Sequence, residues 1–196
     1  VSAHAQPSLT PEEYLEIERA AAFKSEYYAG RMYAMSGASL SHVLITGSLN
    51  AELRAALKKG PCLVGGTDLR LRVSPAGLYA YPDIVVICGP PKFAEDQKDT
   101  LLNPTLLVEV LSASTESYDR GFKSQQYRKI EALQEYALVS QTEARLEVFR
   151  RQPTGGWLLS EFAGLDAVCR FDSLNCEIPL AEIYAKVTLT GDEPIR

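Results

Sequence analysis

Two short, β-branched runs stand out in the hydrophobic pattern of this chain, one from Asp83 to Cys88 and one from Leu106 to Leu111. Their length and composition predict buried strands. Each run carries a single carboxylate, Asp83 and Glu109. Burying an unpaired carboxylate costs roughly several kcal/mol, so a metal ion or a lysine is expected to meet them.

Around these runs the pattern alternates between helical and extended segments. Thr10, Pro11 and Glu13 form a capping box with proline at the first helical position, predicting a helix to about Ala22. Lys24 to Tyr28, a turn at Ala29-Gly30, and Arg31 to Met35 predict a hairpin with Glu26 in its first arm. From Ser39, the apolar positions Val43, Leu44, Leu49, Leu53 and Leu57 predict an amphipathic helix closed at Lys58-Lys59-Gly60. Cys62 to Val64 and Asp68 to Val73 predict strands, the second with its charged face toward solvent or a substrate groove. Residues 89–103 predict a polar, mobile connection. A helix from about Tyr118 to Leu133 then precedes strands at Glu135 to Ser140, Arg145 to Arg150 and Trp157 to Phe162, and Pro179 opens a last helix to about Lys186. The expected organisation is a flexible tail over 1–9, a single domain over 10–187 and a tail over 188–196. Mixed helices and strands, several of them consecutive, give an α/β or α+β fold around a mixed sheet.

Composition narrows the function. With 196 residues, 46% hydrophobic and 23% charged, the chain suits one globular domain. No apolar run approaches the ~20 residues of a membrane helix and no signal-peptide pattern opens the chain, so a cytoplasmic protein without a membrane partner is expected. Cys62, Cys88, Cys169 and Cys176 form no Cys-x-x-Cys pair, which reads as small buried hydrophobes in a reducing compartment rather than a zinc site. A formal charge of −5 argues against coating nucleic acid by charge alone, but not against meeting it locally.

The alternation of the second run sends Leu107, Glu109 and Leu111 to one face and Val108 and Val110 to the other. If the Asp83 strand lies alongside, the two carboxylates converge and suit a hard divalent cation, Mg2+ or Mn2+. On a regular helix Asp119, Lys123, Tyr127 and Ile130 share one stripe, so Lys123 can reach those acids. The same spacing equally suits a silent Asp119–Lys123 ion pair worth about 0.3–0.5 kcal/mol.

Pro82-Asp83, Glu109-Val110-Leu111-Ser112, Asp119, Lys123 and Tyr127, with Glu135-Tyr136 entering a strand, together resemble the Uma family of "putative restriction endonucleases" in the PD-(D/E)XK nuclease superfamily. The resemblance extends to the Thr10-Pro-Glu-Glu-Tyr-Leu opening, Glu26 before Gly30, and His42 at a helix start. It implies a restriction-endonuclease-like core that hydrolyses DNA phosphodiester bonds, with Asp83 and Glu109 as metal ligands and Glu26 as a further acid. The superfamily lysine two positions after the second acid is replaced here by Leu111, and the resemblance implies that Lys123 on the following helix takes its place. Related nucleases commonly act as dimers, since a duplex has two strands to cut and matching two-fold symmetry, so the resemblance implies a homodimer.

Other residues carry alternatives. His42 can touch a phosphate or a metal-bound water or serve a polar role at the helix start, and Ser112 can cap the next turn or support Glu109. Arg70, Arg72, Arg120, Arg128 and Lys129 can line a phosphate groove or be solvated surface, and Tyr27, Tyr28 and Tyr33 read as packing rather than a base-stacking platform. Two further functions stay open: an inactive nuclease fold that binds DNA or a protein partner, and a scaffold whose acids and lysine form a buried charge network.

Overall fold

The computed structural model of the protein describes residues 8–74, 77–94 and 98–189. The expected tails lie outside these residues except at Ser8, Leu9, Thr188 and Leu189. Leu9 donates its N–H to the Gly30 carbonyl at 3.0 Å and accepts from the Tyr27 hydroxyl at 2.9 Å.

Helix α1 (Pro11–Ala20) begins at the expected capping box, with both reciprocal hydrogen bonds formed. Strands β1 (Ser25–Tyr28) and β2 (Arg31–Ala34) form the expected hairpin, whose turn residues Ala29 and Gly30 both take positive φ. Helix α2 (Leu40–Leu57) follows, then β3 (Cys62–Gly66), β4 (Arg70–Arg72), β5 (Tyr79–Ala80), β6 (Ile84–Cys88), β7 (Thr100–Leu101) and β8 (Leu106–Val110). A helical segment comprises α3 (Glu116–Tyr118), a π-turn (Asp119–Lys123) and α4 (Ser124–Tyr127). Strands β9 (Glu135–Val139), β10 (Arg145–Arg151), β11 (Trp157–Ala163), β12 (Val168–Phe171) and β13 (Cys176–Pro179) and helix α5 (Leu180–Ile183) complete the chain.

A six-stranded sheet, in order β11-β10-β9-β8-β6-β3, is the centre of the molecule. It is mixed: β8 and β9 run parallel, joined by the α3–α4 crossover, and the other pairs are antiparallel. The alternation read from the second run holds. Leu106, Val108 and Val110 face a core shared with α2, α5 and the β12–β13 hairpin, whereas Leu107 and Leu111 face a second core. That second core is closed by α4 and by a five-stranded sheet, β2-β1-β5-β4-β7, whose outer face is covered by α1 through Tyr14, Tyr27 and Tyr79.

Several expectations are corrected. Val43 is exposed, and the buried line of α2 is Ile45, Leu49, Leu53 and Leu57, one residue every four. The charged face of β4 meets neither solvent nor a groove at Arg70. That guanidinium is buried under α1, pairs with Asp99 at 2.7 Å and donates to Tyr81 and Thr100. The 89–103 connection is partly structured, since Thr100 and Leu101 pair in parallel with β4. Cys62 and Cys88, opposed on β3 and β6, form a disulfide, so for these two the reading as reduced hydrophobes fails. Cys169 and Cys176 remain free. The β12–β13 hairpin arises from a stretch in which no element was expected.

The predicted helix from Tyr118 to Leu133 is shorter and irregular. It ends at Tyr127, where Arg151 donates to the carbonyls of Arg128, Ile130 and Leu133 and holds the chain in turns. At its centre the Ser124 N–H reaches the Asp119 carbonyl five residues back, which also accepts from the Tyr136 hydroxyl at 3.2 Å. A second donor on that carbonyl favours the wider turn, and such turns concentrate at functional positions.

Candidate functional site

The β6–β8 register brings the two acids together. Ile84 opposes Val108 in antiparallel pairing, so Asp83, one residue earlier, falls beside Glu109. Asp83 Oδ2 accepts the Val110 N–H at 2.7 Å and lies 3.1 Å from His42 Nε2. His42 is placed by the first turn of α2, where its own N–H donates to Ser39 Oγ and Thr46 Oγ1 sits 3.5 Å from its Nδ1. The hydrogen bond to Asp83 raises the His42 pKa above its ordinary value, against the opposing effect of burial.

Lys123 enters the same point from the π-turn. Its Nζ lies 2.9 Å from Glu26 Oε1, 3.0 Å from Glu109 Oε1 and 3.5 Å from Asp119 Oδ1. The sequence-neighbour pair with Asp119 is thus the longest of the three contacts, and the lysine bridges β1, β8 and its own turn. Two tyrosines complete the cluster. Tyr127 donates to Glu109 Oε1 at 2.8 Å, and Tyr118 donates to Glu26 Oε2 at 3.1 Å. Glu109 and Lys123 are 4% and 5% exposed, so these contacts sit in a low-dielectric surround where each is strong and each unmatched charge is costly.

Charge is out of balance there. Burial above all pushes the Glu109 carboxyl well above its usual range; Lys123 opposes this, and Asp83, Asp119 and Glu26 add to it. Burial works against the Lys123 ammonium, but Glu109, Glu26 and Asp119 overcome it and hold its pKa well above normal. Burial also raises the Asp119 carboxyl. Four carboxylates therefore share one lysine and one histidine, an excess that a cation would relieve. Among the described residues no three His, Cys, Asp or Glu side chains are grouped as a metal cage. The donor set still fits magnesium or manganese, which keep waters and commonly take only one or two carboxylates from the protein. Asp83 and Glu109, side by side in the β6–β8 register, are the carboxylates that could supply them.

Other sequence candidates fall away from this point or find other partners. Ser112 Oγ accepts the Thr115 N–H and contacts Ser114 and Thr115, which makes it a turn cap rather than a support for Glu109. Glu135 lies at the opposite end of the sheet and caps the Asp172–Ser173 turn. Arg70 and Arg120 are held in ion pairs, Arg128 bonds its own helix and Lys129 bonds Gln126, so each of these four has a partner within the chain. Tyr27 is core and Tyr28 packs on Phe122, whereas Tyr33 stands half exposed on the hairpin. Tyr118 was missed by sequence reasoning. Its only signal is its place immediately before Asp119, and its value comes from β1 folding across to it.

The chain resembles known proteins over nearly its whole length. The Uma2 family, described as "putative restriction endonuclease", matches residues 11–181. Uncharacterized protein slr1290 of Synechocystis sp. is 38% identical over 180 residues, covering 91% of this chain and 92% of the relative. Uncharacterized protein sll1609 of the same organism is 36% identical over 167 residues, covering 85% and 94%. In three dimensions, the crystal structure of a "putative nuclease" of the DUF820 group from Anabaena variabilis superposes with a TM-score of 0.75 at 18% identity, covering 92% of this chain and 99% of that one. The mixed α/β fold expected from the sequence is the fold found, and the chain belongs to the Uma2 family of "putative restriction endonucleases".

Proposed function

We propose that this protein is a metal-dependent endonuclease that hydrolyses phosphodiester bonds of DNA, with Asp83 and Glu109 holding Mg2+ or Mn2+, Lys123 as the catalytic lysine and Glu26 as its supporting acid. The observation that carries this reading is the meeting of Lys123 with Glu109 and Glu26, from three separate elements, beside the Asp83–Glu109 pair. When bound, a divalent ion there supplies charge stabilisation on phosphate oxygens and a water acidic enough to ionise near neutral pH.

The chain's own residues do the rest. The Val110 N–H and His42 fix one oxygen of Asp83, leaving the carboxylate oriented. Tyr127 fixes Glu109, and Tyr118 fixes Glu26, so Lys123 is held between two immobilised acids. Its ammonium stays protonated and is placed to stabilise negative charge developing on the phosphate oxygens. Asp119 tethers the lysine from its own turn. The protein acts as a homodimer, one copy for each strand of a two-fold symmetric duplex site.

A second reading, a nuclease fold that binds DNA or a protein partner without cutting, is favoured by the near-complete enclosure of Lys123 and Glu109. Plasmid and oligonucleotide cleavage with magnesium or manganese separates the two. Wild type is expected to cut, with Asp83→Ala, Glu109→Ala and Lys123→Ala each slowed by about 100-fold or more. A wild type that cuts nothing, or variants that cut at its rate, would remove the catalytic assignment. Metal-independent binding that survives all three substitutions is the mark of the second reading.

A further inference from the structure

The hairpin beside the cluster bears on which form of DNA reaches it. Across the β1–β2 ladder, Glu26 is opposed by Tyr33 and Tyr28 by Arg31. Directly opposed residues of an antiparallel pair project from one face. Glu26 meets Lys123, and Tyr28 rests edge-on against Phe122 at 4.6 Å, so this face is the one turned toward the cluster. Arg31 and Tyr33 stand on it one strand further out, on the free edge of the five-stranded sheet. Both are exposed, Tyr33 by 50%. Among the described residues neither side chain has a hydrogen-bond, ion-pair or ring partner.

Two physical points give these side chains a task. The Lys123 charge is already matched by three carboxylates, and a DNA strand approaching an acid-rich cluster needs a cation elsewhere. Among the described residues Arg31 is a guanidinium without a side-chain partner on the face turned toward the cluster, suited to a phosphate. Opposed strand residues lie about 4.5–5.5 Å apart at Cα, which puts the Tyr33 ring within roughly one or two nucleotides of Glu26. Inside a duplex each base has both faces covered by its neighbours, so a side-chain ring can stack only on a base that is unpaired.

We propose that Arg31 and Tyr33 form a strand-binding edge, Arg31 on a backbone phosphate and Tyr33 stacked on an unpaired base, so that the DNA taken by this protein has single-stranded character beside the scissile bond. The proposal rests on the nuclease reading only for where the scissile bond lies. Its test does not depend on cleavage.

The test is fluorescence anisotropy in EDTA with one labelled oligonucleotide, single-stranded and annealed to its complement, titrated with wild type, Tyr33→Ala, Tyr33→Trp and Arg31→Ala. Wild type is expected to bind the single strand more tightly than the duplex. Tyr33→Ala should weaken single-strand binding about tenfold with little effect on the duplex, and Tyr33→Trp should keep it. Arg31→Ala should weaken binding and reduce the salt slope by about 0.7 for the single strand. Equal affinity for the two DNAs, no wild-type binding, or wild-type affinity in Tyr33→Ala with an unchanged urea midpoint overturns the edge. So does a Tyr33→Ala protein that changes its mass on gel filtration while binding DNA normally. Tyr33-dependent binding by a protein that never cleaves with metal leaves the edge standing and removes the nuclease. Metal-dependent cleavage with Arg31 and Tyr33 dispensable for binding does the reverse.

Discussion

At the residue scale, Lys123 is the pivot, because its ammonium is the cation that Glu26, Glu109 and Asp119 share. Lys123→Met leaves those buried acids unmatched, and the expected loss is about 3–5 kcal/mol in urea unfolding at pH 7. A midpoint near wild type would mean that the cluster opens to water and needs no lysine for folding. Asp119→Asn is expected to act in the opposite sense. Its carboxyl is raised by burial and lies in a surplus of acid, so removing the charge should raise the midpoint slightly, by less than about 1 kcal/mol. Much of this was legible from residue type and spacing. Alternation along the second run aimed Glu109, and the i, i+4 pattern aimed Lys123. What spacing left open was whether Lys123 pairs with Asp119 alone. That turns on Glu26, which is 97 positions away from Lys123 in the chain and is delivered by the β1 strand.

At the element scale, the π-turn and the α1 contacts show where local rules give way. A regular helix was the sequence expectation over Tyr118 to Leu133, but the Tyr136 hydroxyl on the Asp119 carbonyl and the Arg151 contacts beyond Tyr127 come from β9 and β10, which local propensity does not register. Likewise Arg70 alternates like a surface residue in its strand, and only the packing of α1 over that face buries it beside Asp99. Arg19 on α1 and Arg70 on β4 both meet Asp99, at 2.8 and 2.7 Å. With the Arg19 hydrogen bond foremost, against the opposing effect of burial and helped by Thr100 and the Arg70 charge, the Asp99 carboxyl is depressed from 3.8 to about 2. A folded value below the unfolded one stabilises above the unfolded pKa and fades as pH falls through the folded value. Asp99→Asn should therefore lower stability by about 1–2 kcal/mol at pH 7, allowing for solvent screening, and the gap to wild type should close between pH 4 and pH 2. Urea midpoints across that range check it, and a gap that persists at pH 2 counts against the ion-pair account. Thr10→Ala, which removes one half of the capping box, should cost about 1 kcal/mol by the same measurement.

At the scale of the whole molecule, the Cys62–Cys88 disulfide ties the edge strand β3 to β6, the strand that opens beside Asp83. It closes a loop with a sequence separation of 26, worth about 3.5 kcal/mol in the chain-entropy account. Reduction, or the double Cys62→Ser and Cys88→Ser variant, should lower the urea midpoint accordingly, and an unchanged midpoint would show that the bond does not restrain the unfolded chain. No helix among the described residues is long and apolar enough to cross a membrane. By itself the sequence determined the local periods: the two buried strands, the capped first helix, the hairpin and the inward aim of Glu109. These follow from hydrophobic patterning and turn chemistry, which act over a few residues. Tertiary structure alone decided the pairing of Cys62 with Cys88, the burial of Arg70, the widened turn at Asp119 and the convergence of Glu26, Asp83, Glu109 and Lys123. Each of these depends on strand order and register, which bring together groups far apart in the chain and which no local pattern specifies.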